Sequence, residues 1–203
     1  MELEKLELDA WEDCVAKRYD SAMTKFLNLA ARGSLAALLN LGWMHAKGLG
    51  VPVEDAAAEA YYRQALEAGE VRANYHLGWL YRRLGDPASA TNFFEAGAER
   101  DLRSTYRAGF AYLFGEGVEI DLEKARQYLE RAASLGHIFA RRRLGLCYLR
   151  GTFGKSQLGL GIKIVLKVFI DFPKIVRLDP GSDRVDPAKR ENAPFRWRGS
   201  DYT

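Results

Sequence analysis

Residues Ser104–Gly136, STYRAGFAYLFGEGVEIDLEKARQYLERAASLG, decide how this chain is built. They read as two helices joined by a tight loop. Tyr106, Phe110, Leu113 and Phe114 recur at helical spacing, and so do Leu122, Ala125, Leu129 and Ala132. Between the two runs, Gly115-Glu116-Gly117 supplies residues that take positive φ and end the first helix. Asp121 stands where a carboxylate favours the start of the second helix, and Gly136 closes it. Gly109 and Ala125 are the small residues on the facing surfaces, which lets the axes approach closely. Such a hairpin exposes an apolar stripe on both helices and needs stacked neighbours to bury it.

Working outward, those neighbours are present. Placing Gly109 on Gly42, Gly78 and Gly145 aligns Leu41, Leu77 and Leu144 before three of the glycines, at spacings of 36, 31 and 36. The small residue five positions earlier becomes Ala37, Ala73, Ser104 and Ala140; the residue three later becomes His45, Tyr81, Tyr112 and Tyr148. Second-helix positions fall in line as Tyr62, Phe94 and Leu129, each seven residues before Gly69, Asp101 and Gly136. The short copy loses most of its missing residues from its inner loop, where Asp86-Pro87 turns into the second helix. The expected fold is all-α, an α/α superhelix of about four to five stacked helix-turn-helix repeats. Its divisions are a degenerate cap at 1–35, repeats at 36–71, 72–102, 103–138 and 139–172, and a largely irregular tail at 173–203.

These residues resemble the Sel-one-like repeat family, a relative of the tetratricopeptide repeats. The resemblance rests on Gly115-Glu116-Gly117-Val118, Asp121, Lys124-Ala125, Tyr128 and Ala132 to Gly136, with Gly48-Leu49-Gly50-Val51 and Tyr61-Tyr62 as a second instance. It runs over roughly residues 16–172 and is specific for fold. It implies an adaptor that assembles other proteins. Some secreted relatives carry a disulfide in each repeat; here Cys14 and Cys147 stand far apart and read as small buried hydrophobes.

Thirty Lys+Arg against 27 Asp+Glu leave a net charge of +3, too small to point to nucleic acid, and none is expected as a partner. The opening MELEKLELDAWEDC lacks the basic-then-apolar order of a signal peptide, so a cytoplasmic location is expected, with association at a membrane surface as the alternative. In residues 2–33, Leu3, Leu6, Trp11 and Val15 suggest one apolar face, and Tyr19-Asp20 a turn into Ala22, Phe26 and Gly33. The acidic run Glu2, Glu4, Glu7, Glu12 and Asp13 suits the end of a repeat array.

In tetratricopeptide-like stacking the first helices line a concave side. The register places Leu39, Trp43, Arg72, Tyr75, Trp79, Arg82, Arg83, Arg103, Tyr106, Phe110, Arg142 and Arg150 there. Tyr, Trp and Arg are the residues enriched in binding hot spots, so this row is the expected partner-binding surface, fitted to an acidic segment. For Trp43, Trp79 and Phe110, packing between repeats is the alternative. The arginines are expected in the groove or in solvent, because burying them unpaired is costly.

The fourth repeat departs from the others. Its second helix, expected over Leu158–Phe172, replaces outer-face polar residues with Ile162, Leu166 and Ile170, a ridge beside a narrow charged stripe of Lys163, Lys167 and Asp171. Three covers suggest themselves. One is the chain's own tail, through Ile175, Val176, Leu178, Phe195 and Trp197. The others are a partner or second copy, and a membrane surface on which the lysines snorkel.

No catalytic constellation stands out. His45, His76 and His137 are scattered, no His/Cys group has zinc spacing, and Gly159-Leu160-Gly161 lacks the third glycine of a dinucleotide loop. Asp20, Glu54 and Asp121 read as helix-start residues. No enzyme, cofactor or metal is therefore expected. The leading expectation is a non-catalytic scaffold that binds a partner polypeptide along the concave row. The alternative is a membrane-peripheral accessory subunit docking through 158–172, and self-association through that segment is a third use of it.

Overall fold

The computed structural model describes residues 2–154 and 157–178. Among them are ten α-helices and no strand. The chain falls into two compact units divided at Leu80 and Tyr81.

The first unit holds α1 (Glu2–Val15), α2 (Tyr19–Ala31), α3 (Leu35–Lys47), α4 (Asp55–Glu67) and the start of α5 (Ala73–Arg83). Each of α1 to α4 packs on its chain neighbour. Ser34 caps α3, its Oγ accepting from the Ala37 N–H at 3.1 Å, and Gly48 ends the helix in the left-handed conformation. The core gathers Ala10, Cys14, Ala22, Phe26, Leu29, Ala37, Leu41, Trp43 and Met44. The buried stripe of α1 therefore runs through Leu3, Leu6, Ala10 and Cys14, and Val15 is exposed. At 3.6 residues per turn, Val15 lies a further 100° round the helix than Cys14, so the expectation for Val15 is corrected. Asp20 sits in the first turn of α2, whereas Glu54 at the head of α4 makes no side-chain cap; its carboxylate lies 3.8 Å from His45 Nδ1.

One acidic residue of the opening helix is buried. Asp13 accepts from Arg18 Nε at 2.8 Å and Ser21 Oγ at 2.5 Å and meets Lys25 Nζ at 2.6 Å. The Lys25 ammonium, the Ser21 hydroxyl and the Arg18 guanidinium hold its carboxyl well below the usual carboxylate range. The ionised form is thus the one the fold favours. Its contribution is complete above the unfolded value near pH 4 and disappears as pH falls below it. Asp13→Asn is expected to lower the urea midpoint at pH 7, with the gap to the parent closing below about pH 4. A gap that does not change with pH would assign the effect to something other than the charge.

The second unit holds α6 (Pro87–Gly97), α7 (Leu102–Phe114), α8 (Leu122–Ser134), α9 (Ile138–Leu149) and α10 (Leu158–Leu178), again with sequence neighbours packed together. Asp86 caps α6 through the Ser89 N–H, with Pro87 in the first turn, and Asp121 caps α8 through the Glu123 and Lys124 N–H groups. The repeat glycines mark closest approach: a Cβ on Gly109 would stand 2.9 Å from Tyr128 Cβ, and one on Gly145 2.8 Å from Val165. The tyrosine three residues later holds a glutamate of a second helix. Tyr112 donates to Glu95 at 2.9 Å, Tyr148 to Glu130 at 2.6 Å, and Tyr128 shares Glu95 at 3.1 Å. Burial pushes the Tyr128 and Tyr148 phenols up to about 12, so both hydroxyls keep the proton they donate at neutral pH.

The last described helix is longer than the expected Leu158–Phe172. It runs through Pro173 to Leu178, so the boundary at 172 and the irregular reading of 173–178 are corrected. Proline's fixed φ suits a helix, and the cost is one backbone hydrogen bond and a local distortion. Ile175, Val176 and Leu178 therefore continue α10 and do not turn back as a separate covering tail. Phe195 and Trp197, also offered for that role, lie outside the described residues.

Candidate functional site

The side chains that register reasoning placed on one surface divide in the structure into paired, buried and accessible groups. The pairing follows from how first helices begin. The residue eight before the repeat glycine caps the first helix in three copies, as Ser34, Asp101 and His137; in the other, Glu70 holds that register with Val71 and Arg72 between it and α5. Glu70 takes the Arg72 N–H, Asp101 the Ser104 N–H at 2.8 Å, and the buried His137 Nδ1 the Ala140 N–H at 3.1 Å. Where that position is acidic it also holds the arginine two residues on. Glu70 forms a fork with Arg72, and Asp101 Oδ1 lies 3.2 Å from Arg103 Nε. Arg103 is buried, so the expectation that it faces a groove or solvent is corrected: its cost of burial is met by a carboxylate of its own helix.

In the first unit Trp43 and Tyr75 are buried, Trp43 within the core, and Trp79 is half-buried against the edge of Tyr75 at 6.3 Å. Packing, the alternative weighed for Trp43, is what the structure shows for that side chain.

The second unit brings the remaining positions together on the surface shared by α7 and α9. Tyr106 stacks on His137 at 4.6 Å, Phe110 lies 6.1 Å from Tyr106, and Phe114 lies 4.5 Å from Phe110. The Arg143 guanidinium of α9 lies over both phenylalanines, 5.1 Å from Phe110 and 5.3 Å from Phe114. The Arg107 guanidinium lies 4.8 Å from the Phe110 ring and pairs with Glu116 at 2.8 Å; Glu116 also takes Arg82 at 3.1 Å. Phe114 and Arg142 are exposed, Tyr106, Phe110 and Arg143 half-buried. Among the described residues neither Arg142 nor Arg143 has a carboxylate partner. The arrangement can therefore offer aromatic area and two cations to a ligand without first breaking an internal ion pair.

Phe114 and Arg143 were missed as site residues. Phe114 stands five residues after its repeat glycine, the register of Arg83 and Arg150, so the pattern held the signal. Arg143 reaches this surface only through the crossing of α7 and α9, which no single repeat reveals. Elsewhere, burial pushes the Cys14 thiol up to about 11 and raises Cys147, which leaves both as unreactive packing groups. No group of three or more potential metal ligands occurs among the described residues.

The Sel1 repeat matches residues 35–70, 102–137 and 138–163, and the tetratricopeptide repeat matches 71–103, the short copy. The rat protein DAP3-binding cell death enhancer 1 is 28% identical over 109 residues, 52% of this chain and 21% of its own length, so this chain spans about a fifth of that relative. A Sel1 repeat protein of Oxalobacter formigenes superposes with a TM-score of 0.70 at 23% identity, over 92% of this chain and 80% of the other. A protective antigen of uropathogenic Escherichia coli, c5321, gives 0.66 at 21% identity, over 86% of this chain and 40% of that one. At these identities the structural likenesses speak for fold alone. The chain therefore carries Sel1 repeats and a tetratricopeptide-like repeat, on the paired-helix fold of the Sel1-like repeat solenoids.

Proposed function

We propose that this chain is a non-catalytic interaction scaffold that captures an acidic, partly extended segment of another protein on the α7–α9 surface. Repeats of this family serve in general as platforms for protein–protein contact. The observation that carries the reading is Arg143 lying over Phe110 and Phe114 with Arg142 exposed beside it. Stacked guanidinium and aromatic groups lose little side-chain freedom on binding, while the outer N–H groups remain available to carboxylates. Tyr106 extends the aromatic area along α7, and Arg82 supplies a further exposed cation tied loosely to Glu116.

The test is fluorescence anisotropy with labelled peptides of alternating glutamate and phenylalanine, set against lysine–phenylalanine counterparts. The parent should bind the acidic set, and Arg142→Glu with Arg143→Glu should weaken it about tenfold or more while circular dichroism is unchanged. Equal affinity of parent and variant would sink the reading.

A second reading is a membrane-peripheral accessory subunit that docks through residues 158–172. The exposure of Ile162, Leu166 and Ile170 on α10 favours it.

A further inference from the structure

α10 carries two apolar faces, and the packing of the second unit uses one. Gly161, Ile164 and Val165 face α9, where a Cβ on Gly161 would stand 2.8 Å from the Leu149 nitrogen and 3.0 Å from the Gly145 oxygen. The other face is a continuous stripe. Leu158, Ile162, Leu166, Phe169 and Ile170 are 52%, 47%, 58%, 72% and 61% exposed. Their i, i+4, i+8, i+11, i+12 spacing keeps them within one sector of the helix, over a length of about 18 Å. A stripe of this size open to water is a docking surface.

Charge decides what it docks on. Lys163 and Lys167, both exposed, run one turn apart along one edge of the stripe, and no acidic side chain lies between Leu158 and Ile170. By sequence α10 holds Lys163, Lys167, Lys174 and Arg177 against one acid, Asp171, so two copies packed stripe to stripe would set two helices of like net charge side by side. An anionic surface meets that net positive charge with the opposite sign. Among the described residues no helix is long and apolar enough to cross a membrane, so the geometry is that of a helix lying in the surface plane.

We propose that α10 seats this chain on an anionic bilayer. The stripe enters the boundary between headgroups and acyl chains, and Lys163 and Lys167 snorkel to the lipid phosphates. The proposal rests on the membrane-peripheral reading and is independent of the α7–α9 surface.

The experiment is flotation of the full chain with vesicles of about seven parts phosphatidylcholine to three parts phosphatidylserine, and with phosphatidylcholine alone, alongside light scattering without lipid. The parent should float with the mixed vesicles and only weakly with the neutral ones. Lys163→Glu with Lys167→Glu should lower the bound-to-unbound ratio about tenfold or more. Ile162→Ser, Leu166→Ser and Ile170→Ser together should abolish flotation and leave the helical melt in place, since all three side chains are exposed. The lysine variant keeps the stripe intact, so the proposal stays testable if the serine variant folds poorly. A parent that floats together with a serine variant that floats equally keeps the chain at a membrane and overturns α10 as its dock. A parent that does not float overturns both, and a parent dimer that becomes monomeric in the serine variant assigns the stripe to a second copy.

Discussion

Gly117→Ala is expected to cost this protein about 3 kcal/mol or more, against about 1 kcal/mol for Gly115→Ala two residues away. Both glycines have φ of +72°, so both substitutions incur the strain of placing a Cβ in the left-handed region. They differ in what the Cβ meets. On Gly115 it finds the Ile120 side chain at 3.1 Å, a group that can shift. On Gly117 it would stand 2.2 Å from the Pro87 carbonyl carbon and oxygen and 2.3 Å from the Ala88 nitrogen, the backbone at the head of α6. Nothing there can yield without lifting the loop off α6. Lifting it would also break the bond from Thr91 Oγ1 to the Glu116 carbonyl at 2.7 Å and move the Glu116 carboxylate away from Arg82 and Arg107. The measurement is urea unfolding of the parent and the two variants. Equal losses within about 0.5 kcal/mol would show that the close contact with Pro87 is absent in solution.

That loop also shows how far the sequence could be read. Gly115-Glu116-Gly117 was legible as a helix stop, because positive φ is a local demand that residue type records. Its docking on α6 was not, since the demand for a second glycine comes from a neighbouring repeat. The same division runs through the chain. Asp86, Asp121 and the close approach at Gly109 were readable from one hairpin, and the register of Gly145 with Gly161 carried the pattern into α10. What escaped were properties set by several elements together. Arg143 brought over Phe110 and Phe114 is one of them. The extension of α10 past Pro173 escaped for another reason, because a proline signals a stop only as a local preference. The first-helix caps escaped because three residue types, Ser34, Asp101 and His137, fill one position. Only the register from the repeat glycine links them.

Asp101 offers the sharpest test of that hidden position. Aligned from the second helix it stands where the other copies have Gly69 and Gly136; aligned from the first helix it stands with the caps. The short copy has no separate glycine before its cap, so Asp101 serves as both junction and cap between α6 and α7. Its Oδ2 accepts from the Ser104 N–H at 2.8 Å and hydroxyl at 2.7 Å, and its Oδ1 faces Arg103 at 3.2 Å. Acid and arginine are both buried. Asp101→Ala removes the cap, worth about 1 kcal/mol, and the carboxylate set against a buried guanidinium, worth about 3 kcal/mol. A combined loss of about 3–4 kcal/mol is expected, and it should change little with added salt because the pair is shielded from solvent ions. Asp101→Asn keeps an amide oxygen for the cap and removes only the charge, so about 2–3 kcal/mol of the loss should remain. Adding Arg103→Met to Asp101→Asn should recover most of that remainder, since a neutral side chain of similar length no longer asks for a counter-charge. If Asp101→Asn is as stable as the parent, the ion pair carries no stability and the cap alone explains this residue. If the methionine gives no recovery, the charge of Arg103 is met elsewhere and its burial needs another cause.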